Sequence, residues 1–223
     1  MLATIPSTMQ SPRPAQLQLA LDHSLEDGLA ILSTLSQHID IIEVGTRLII
    51  HHGVQAVSTT KKAYPKHTVL ADVKIMDAGE DSADLAFAAG ADIVTVLGCA
   101  SDSTIAGVVA SAKKHNAHVM ADLIQVSDLN ERSAQLLALG VDYLCVHTAF
   151  DAQATTSSPC QHLATLHKTF PEAQLAIAGG LSLEKLAEVI PYNPAIVVVG
   201  GAITKADDPE AAANAIQARL AKR

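Results

Sequence analysis

The segment LADVKIMDAGE sets Asp72 and Lys74 two residues apart, with Asp77 three positions further on. In an extended strand, residues two apart point to the same side, so Asp72 and Lys74 share a face. A lone Asp-x-Lys pair reads first as an ion pair on a solvated rim. Three further carboxylates change that reading, because Asp22, Glu43 and Asp122 stand at or near the ends of runs that are otherwise apolar. Burying a lysine among carboxylates is costly unless the charges pair, and such groupings cluster at functional sites. His147 closes another apolar run, VDYLCVH, and reads either as a packed strand-end histidine or as an acid/base group. Imidazole titrates near working pH, which suits proton transfer. Gly179-Gly180 and Gly200-Gly201 end two more runs. Glycine lets backbone approach an anion closely and present its N–H groups, or it serves a tight connection.

Eight short aliphatic runs must position these residues, from QLQLALD (16–22) and IDIIEVG (39–45) to AQLAIAG (173–179) and PAIVVVG (194–200). Ala/Leu segments at helical spacing separate them, with Ser24, Ser182 and Asp208 as candidate caps and Pro209 suited to a first helical position. Eight strands and eight helices in strict alternation, without a composition break, predict one domain over residues 16–223. Residues 1–15, with Pro6, Pro12 and Pro14, read as a flexible tail. Parallel strands joined by helices leave a doubly wound sheet or a closed (β/α)8 TIM barrel. The first turn, LDHSLEDG, lacks a dinucleotide fingerprint, whereas polar residues at many strand ends suit the single mouth of a barrel. The barrel is the predicted fold. Residues 151–161, rich in small polar side chains, read as a flap over that mouth.

Composition narrows the partners. The chain has 223 residues, a formal net charge of -8, 3% aromatics and no Trp, so small aliphatic side chains must fill its core. That charge offers no basic footprint for nucleic acid. No apolar stretch of about 18 residues is available to span a membrane. Cys99, Cys145 and Cys160 form no CxxC pair and read as reduced, small hydrophobes in a cytoplasmic protein. His51-His52 reads as surface, as do Lys113, Lys114 and His115 at a helix end.

Asp-x-Lys-x-x-Asp at a third strand is the mark of the orotidine-5′-monophosphate decarboxylase superfamily, and Asp72, Lys74 and Asp77 keep it intact. The chain resembles that superfamily over about residues 16–218, through LQLALD (17–22), IDIIEVGT (39–46), AFAAGADIVTVLG (86–98), GVDYLCVHTAFDAQA (140–154) and VVGGAIT (198–204). The resemblance implies that Glu43 and Asp72 hold a Mg²⁺ ion, which would chelate sugar oxygens and stabilise a cis-enediolate. It implies substrate contact by Asp22, a place for Lys74 beside the reacting carbon, and an acid/base role for His147. Asp122 takes the fifth-strand acidic position, and Gly179, Gly180, Gly200 and Gly201 match phosphate-binding turns. Asp77 matches an aspartate that reaches into a partner subunit's site, implying a homodimer.

Within the superfamily the chain looks most like enzymes that join formaldehyde to C1 of D-ribulose 5-phosphate. A 6-phospho-3-hexuloisomerase would then be the functional partner. The alternatives are decarboxylation of 3-keto-L-gulonate 6-phosphate and, in another class, phosphosugar binding without catalysis. The decarboxylases carry an arginine three residues after the sixth-strand histidine, where this chain has Phe150. All of Glu43, Asp72, Lys74 and His147 are present, which argues against a non-catalytic barrel.

Overall fold

The computed structural model describes residues 14–22, 24–152 and 159–222. Eight parallel strands close in chain order: β1 (Gln16–Leu21), β2 (Ile41–Val44), β3 (Thr68–Ile75), β4 (Ile93–Leu97), β5 (His118–Asp122), β6 (Tyr143–His147), β7 (Gln174–Ala178) and β8 (Ile196–Val199). Gln16↔Ile196 pairing of β1 with β8 completes the ring. The helices are α1 (Leu25–Leu35), α2 (Thr46–His52), α3 (Gln55–Ala63), α4 (Gly79–Ala88), α5 (Asp102–His115), α6 (Leu129–Leu139), α7 (Cys160–Thr169), α8 (Leu186–Val189), α9 (Gly201–Thr204) and α10 (Pro209–Ala221). The barrel is therefore as expected from the sequence.

Strict alternation of eight helices is corrected at two places. Gly53, with φ +64°, breaks the β2–β3 crossover into α2 and α3, and β8 is followed by the short α9 before α10. The caps at Ser24 and Asp208 form, accepting from the N–H groups of Asp27 at 3.0 Å and Ala211 at 2.9 Å. Ser182 caps nothing. Its hydroxyl donates to Glu184 at 2.6 Å, and α8 starts only at Leu186, after a turn held by Lys185 Nζ on the Gly180 carbonyl at 2.8 Å. Lys114 pairs with Glu80, and His115 Nε2 stands 3.4 Å from Asp84, so this basic helix end ties α5 to α4. His51 and His52 are exposed and stacked, with ring centroids 4.7 Å apart.

Side-chain parity builds two cores. Ile41, Leu70, Ile93, Met120, Cys145, Ala176 and Ile196 point into the barrel, and their neighbours along each strand pack outward against the helices. The floor below the site is thus closed by aliphatic side chains. On the opposite rim, Asp40, Asp92 and Asp142 precede β2, β4 and β6. Their carboxylates accept from Leu17, Val69 and Val119 N–H at 2.8, 2.7 and 2.8 Å, each bond spanning 23 positions. Ala195 holds the corresponding place before β8. Of the expected tail, residues 1–13 lie outside the described residues, while Ala15 is already buried in the core. Residues 153–158 of the expected flap lie outside them as well.

Candidate active site

Strand ends at the C-terminal mouth surround a cavity of about 850 Å³. It is the size of a small-molecule site. Asp22, Glu43, Asp72, Lys74, Asp122, His147 and the four glycines of the two Gly-Gly pairs all line it. Asp77 does not. It lies exposed in the loop after β3, where its Oδ1 accepts from the Ala78 N–H at 2.7 Å.

The charged centre is tightly coupled. Asp72 Oδ1 accepts from Thr95 Oγ1 at 2.8 Å, and Oδ2 from Thr46 Oγ1 at 2.7 Å and from Lys74 Nζ. Lys74 Nζ also lies 3.6 Å from Asp122 Oδ2. Burial alone would lower the Lys74 pKa, but the Asp72 charge and hydrogen bond, with Asp122 and Glu43, hold it above the ordinary lysine value. Asp122 Oδ2 lies 2.8 Å from His147 Nδ1, and Oδ1 accepts from the Ile124 N–H at 2.9 Å. Burial would raise the Asp122 pKa; the hydrogen bond and charge of His147, then Lys74, outweigh it and keep the carboxyl below its usual range. Glu43 goes the other way. Burial first, and the neighbouring Asp72 charge second, push it up to about 8, against the hydrogen bond from Gln18 Nε2 at 2.6 Å.

Backbone geometry shapes the rest of the wall. Gly45 follows β2 where a Cβ would stand 2.2 Å from Asp22 Oδ1, so glycine there gives Asp22 its room. Gly179 has φ +99°, and a Cβ on it would meet the Thr148 carbonyl at 2.4 Å. That position brings the turns after β6 and β7 together at the cavity edge.

Residues 15–216 match the model of the orotidine 5'-phosphate decarboxylase / HUMPS family. The chain belongs to this family. A curated relative, 3-hexulose-6-phosphate synthase of Bacillus subtilis (strain 168), is 45% identical over 194 residues, 86% of this chain and 92% of the relative. The crystal structure of 3-hexulose-6-phosphate synthase from Salmonella typhimurium matches with TM-score 0.90 at 41% identity, covering 93% of this chain and 99% of that one. A 3-keto-L-gulonate-6-phosphate decarboxylase from Vibrio cholerae matches with TM-score 0.84 at 26% identity, covering 94% and 99%.

Several cavity residues of this orotidine 5'-phosphate decarboxylase / HUMPS family member went unread in the sequence. Gln18, Thr46, Arg47, Thr95 and Lys205 all line the cavity. Strand parity held a signal for two of them: Gln18 lies four residues before Asp22, and Thr95 two after the inward Ile93. The Cys145 thiol, pushed well up by burial and by the Asp122, Glu43 and Asp72 charges, is a packing group at the cavity floor.

Glu43 and Asp72 fit a hard divalent cation. The Glu43 carboxylate rises toward neutrality because it is buried beside a second negative charge, which a cation would offset. Among the described residues no third His, Cys, Asp or Glu joins them in a ligand cluster. Magnesium suits that donor set, since it binds through one or two carboxylates and keeps waters or substrate oxygens on its other positions. Gln18 Oε1, buried and without a hydrogen-bond partner among the described residues, adds an acceptor beside Glu43.

Proposed function

We propose that the protein is a 3-hexulose-6-phosphate synthase. It joins formaldehyde to C1 of D-ribulose 5-phosphate, reversibly, to give D-arabino-hex-3-ulose 6-phosphate. The His147–Asp122 pair carries this reading. With Nδ1 engaged by Asp122, Nε2 is the nitrogen left to take a proton at the cavity. The carboxylate fixes the tautomer and favours the imidazolium that forms.

The chain's own residues then divide the work. The Gly179-Gly180 and Gly200-Gly201 turns hold the phosphate end, which keeps C1 within reach of His147. His147 Nε2 removes the C1 proton, leaving an enediolate. Lys74, cationic between Asp72 and Asp122, stabilises the alkoxide that develops on formaldehyde as the new bond forms and supplies its proton. Asp22 binds a sugar hydroxyl. Mg²⁺, held by Glu43 and Asp72 when bound, supplies Lewis-acid polarisation of the sugar oxygens. The protein works in the cytoplasm as a homodimer to which Asp77 contributes across the interface, and a 6-phospho-3-hexuloisomerase consumes its product. No helix among the described residues is long and apolar enough to cross a membrane.

The likeness to 3-keto-L-gulonate-6-phosphate decarboxylase keeps one rival in view. Phe150, 78% exposed at the cavity mouth, stands three residues after His147 and offers no proton. Capture of the enediolate by an aldehyde therefore fits better than its protonation. The test uses ribulose 5-phosphate and Mg²⁺ in deuterated water, followed by NMR. A C1 proton should exchange before any aldehyde is added, and formaldehyde should then be consumed into a hexulose 6-phosphate. Untouched formaldehyde together with CO2 release from 3-keto-L-gulonate 6-phosphate would overturn the assignment.

A further inference from the structure

The β3–β4 ladder is irregular at the point where the site is built. Ala71 pairs with Val94 and Ile75 with Val96, so four steps along β3 pass against two along β4. Asp72 and Lys74 lie inside that bulge. Lys74 takes φ +47°, a left-handed conformation that costs free energy for any residue with a Cβ and persists only where its surroundings enforce it. A bulge also takes N–H groups out of the regular ladder, and a buried N–H needs another acceptor.

Thr95 meets both demands. It sits on β4 between the two paired residues and is 4% exposed. Its Oγ1 accepts from the Lys74 N–H at 2.9 Å and lies 2.8 Å from Asp72 Oδ1. A hydroxyl has a single proton to give. Because the Lys74 N–H donates to Oγ1, that proton points at the Asp72 carboxylate. One side chain thus fixes the strained backbone of Lys74 and the rotation of the Asp72 carboxyl, whose other oxygen takes Lys74 Nζ.

We infer that Thr95 is a positioning residue for the reaction: through the bulge it sets the Asp72 carboxylate and the Lys74 ammonium in register with each other at the cavity. Its hydroxyl acts through both groups and touches no reacting atom. The inference rests on the roles given above to Asp72 and Lys74. A bulge that is merely architectural would tolerate any side chain of similar volume at position 95.

Thr95→Val keeps the shape and removes both hydrogen bonds, while Thr95→Ser keeps the hydroxyl. In the full-length protein, Thr95→Val should lower kcat by about 10–100-fold, the usual cost of losing a group that orients a metal ligand, with KM for ribulose 5-phosphate changed less than about threefold. Mn²⁺ binding without sugar, followed by electron paramagnetic resonance, should weaken about tenfold, and Thr95→Ser should restore both readings to within about threefold. A folded Thr95→Val with kcat and Mn²⁺ affinity near those of the parent would overturn the inference. So would equal losses in the Val and Ser variants. If Thr95→Val fails to fold, Thr95→Ala carries the same expectations and the same refutation. Asp72→Asn separates the two levels: if it is fully active, the reading of the site falls and the inference with it. An inactive Asp72→Asn beside a fully active Thr95→Val removes only the role of Thr95.

Discussion

The Asp122 carboxylate holds His147 by Nδ1 at 2.8 Å while its own Oδ1 is anchored on the Ile124 N–H. The pair crosses from the end of β5 to the end of β6, so the pairing of these neighbouring strands itself brings the imidazole and its orienting carboxylate together. Lys74, 3.6 Å from the same Asp122 oxygen, links this pair to Asp72. In the proposed reaction, proton acceptor and developing-charge stabiliser therefore share one buried carboxylate.

Asp122→Asn should separate geometry from charge. The amide can still meet Nδ1, but its NH2 group favours the tautomer with the proton on Nε2, which cannot accept from C1. We expect kcat to fall by about 100-fold or more. C1 deuterium exchange should fall in parallel, because both need the same proton transfer. Loss of condensation with exchange intact would place Asp122 after the proton transfer.

Glu43 links the site to stability. Its folded pKa, about 8, lies above the ordinary 4.5, so the folded protein holds this proton more tightly than the unfolded chain. The associated stability is complete below about pH 4.5 and is lost as pH rises through the folded value. Metal-free protein should therefore lose thermal stability from about pH 5 to 8, with a slope from this group of at most about 1.4 kcal/mol per pH unit. Glu43→Gln should flatten that part of the profile and raise the metal-free Tm at pH 8. It should also weaken Mg²⁺ binding. A pH profile identical in parent and variant would show that Glu43 is not buried as a charge.

The barrel, and the strand-end residues that line its cavity, were legible because each rests on a short-range pattern. Short aliphatic runs placed the strands to within two residues, and polar residues at their ends converge on one mouth because the sheet closes. What stayed hidden depends on neighbours distant in sequence. The bulge at Lys74 exists only relative to β4, and Thr95 looks like an ordinary strand threonine until Asp72 is placed beside it. Pairing of His147 with Asp122 needs the β5–β6 register. The split of α2 from α3 turns on Gly53, one residue inside a stretch otherwise fit for a single helix.

The aspartates on the opposite rim carry stability rather than chemistry. Asp92 Oδ2 accepts from the Val69 N–H at 2.7 Å and pairs with Lys61 Nζ at 2.7 Å. Asp92→Ala would strand the Val69 backbone donor and take the ion-pair partner from Lys61, whose Nζ keeps its bond to the His67 carbonyl at 2.9 Å. A loss of about 2–3 kcal/mol in unfolding free energy is expected, measured by urea titration. Activity at 25 °C should be unchanged, because Asp92 lies at the far end of the barrel. A marked loss of kcat without loss of stability would contradict this division between the two rims.

Asp77 offers the sharpest test of assembly. Within one chain it is exposed and absent from the cavity wall, although Asp72 and Lys74 of the same segment stand inside it. Beside it, Met76 and Leu85 are 53% and 64% exposed, an apolar surface that a second copy would cover. If two chains pair isologously, each Asp77 completes the partner's site. Asp77→Asn and His147→Ala homodimers should then both be nearly inactive. On mixing through a denatured state at equal amounts, half the dimers are hybrids, and each hybrid keeps one site with both native residues. Activity should recover to about one quarter of the parent value. No recovery, with hybrid dimers demonstrated by mass, would mean that Asp77 serves its own chain; full activity in a demonstrated monomer would remove the shared site altogether.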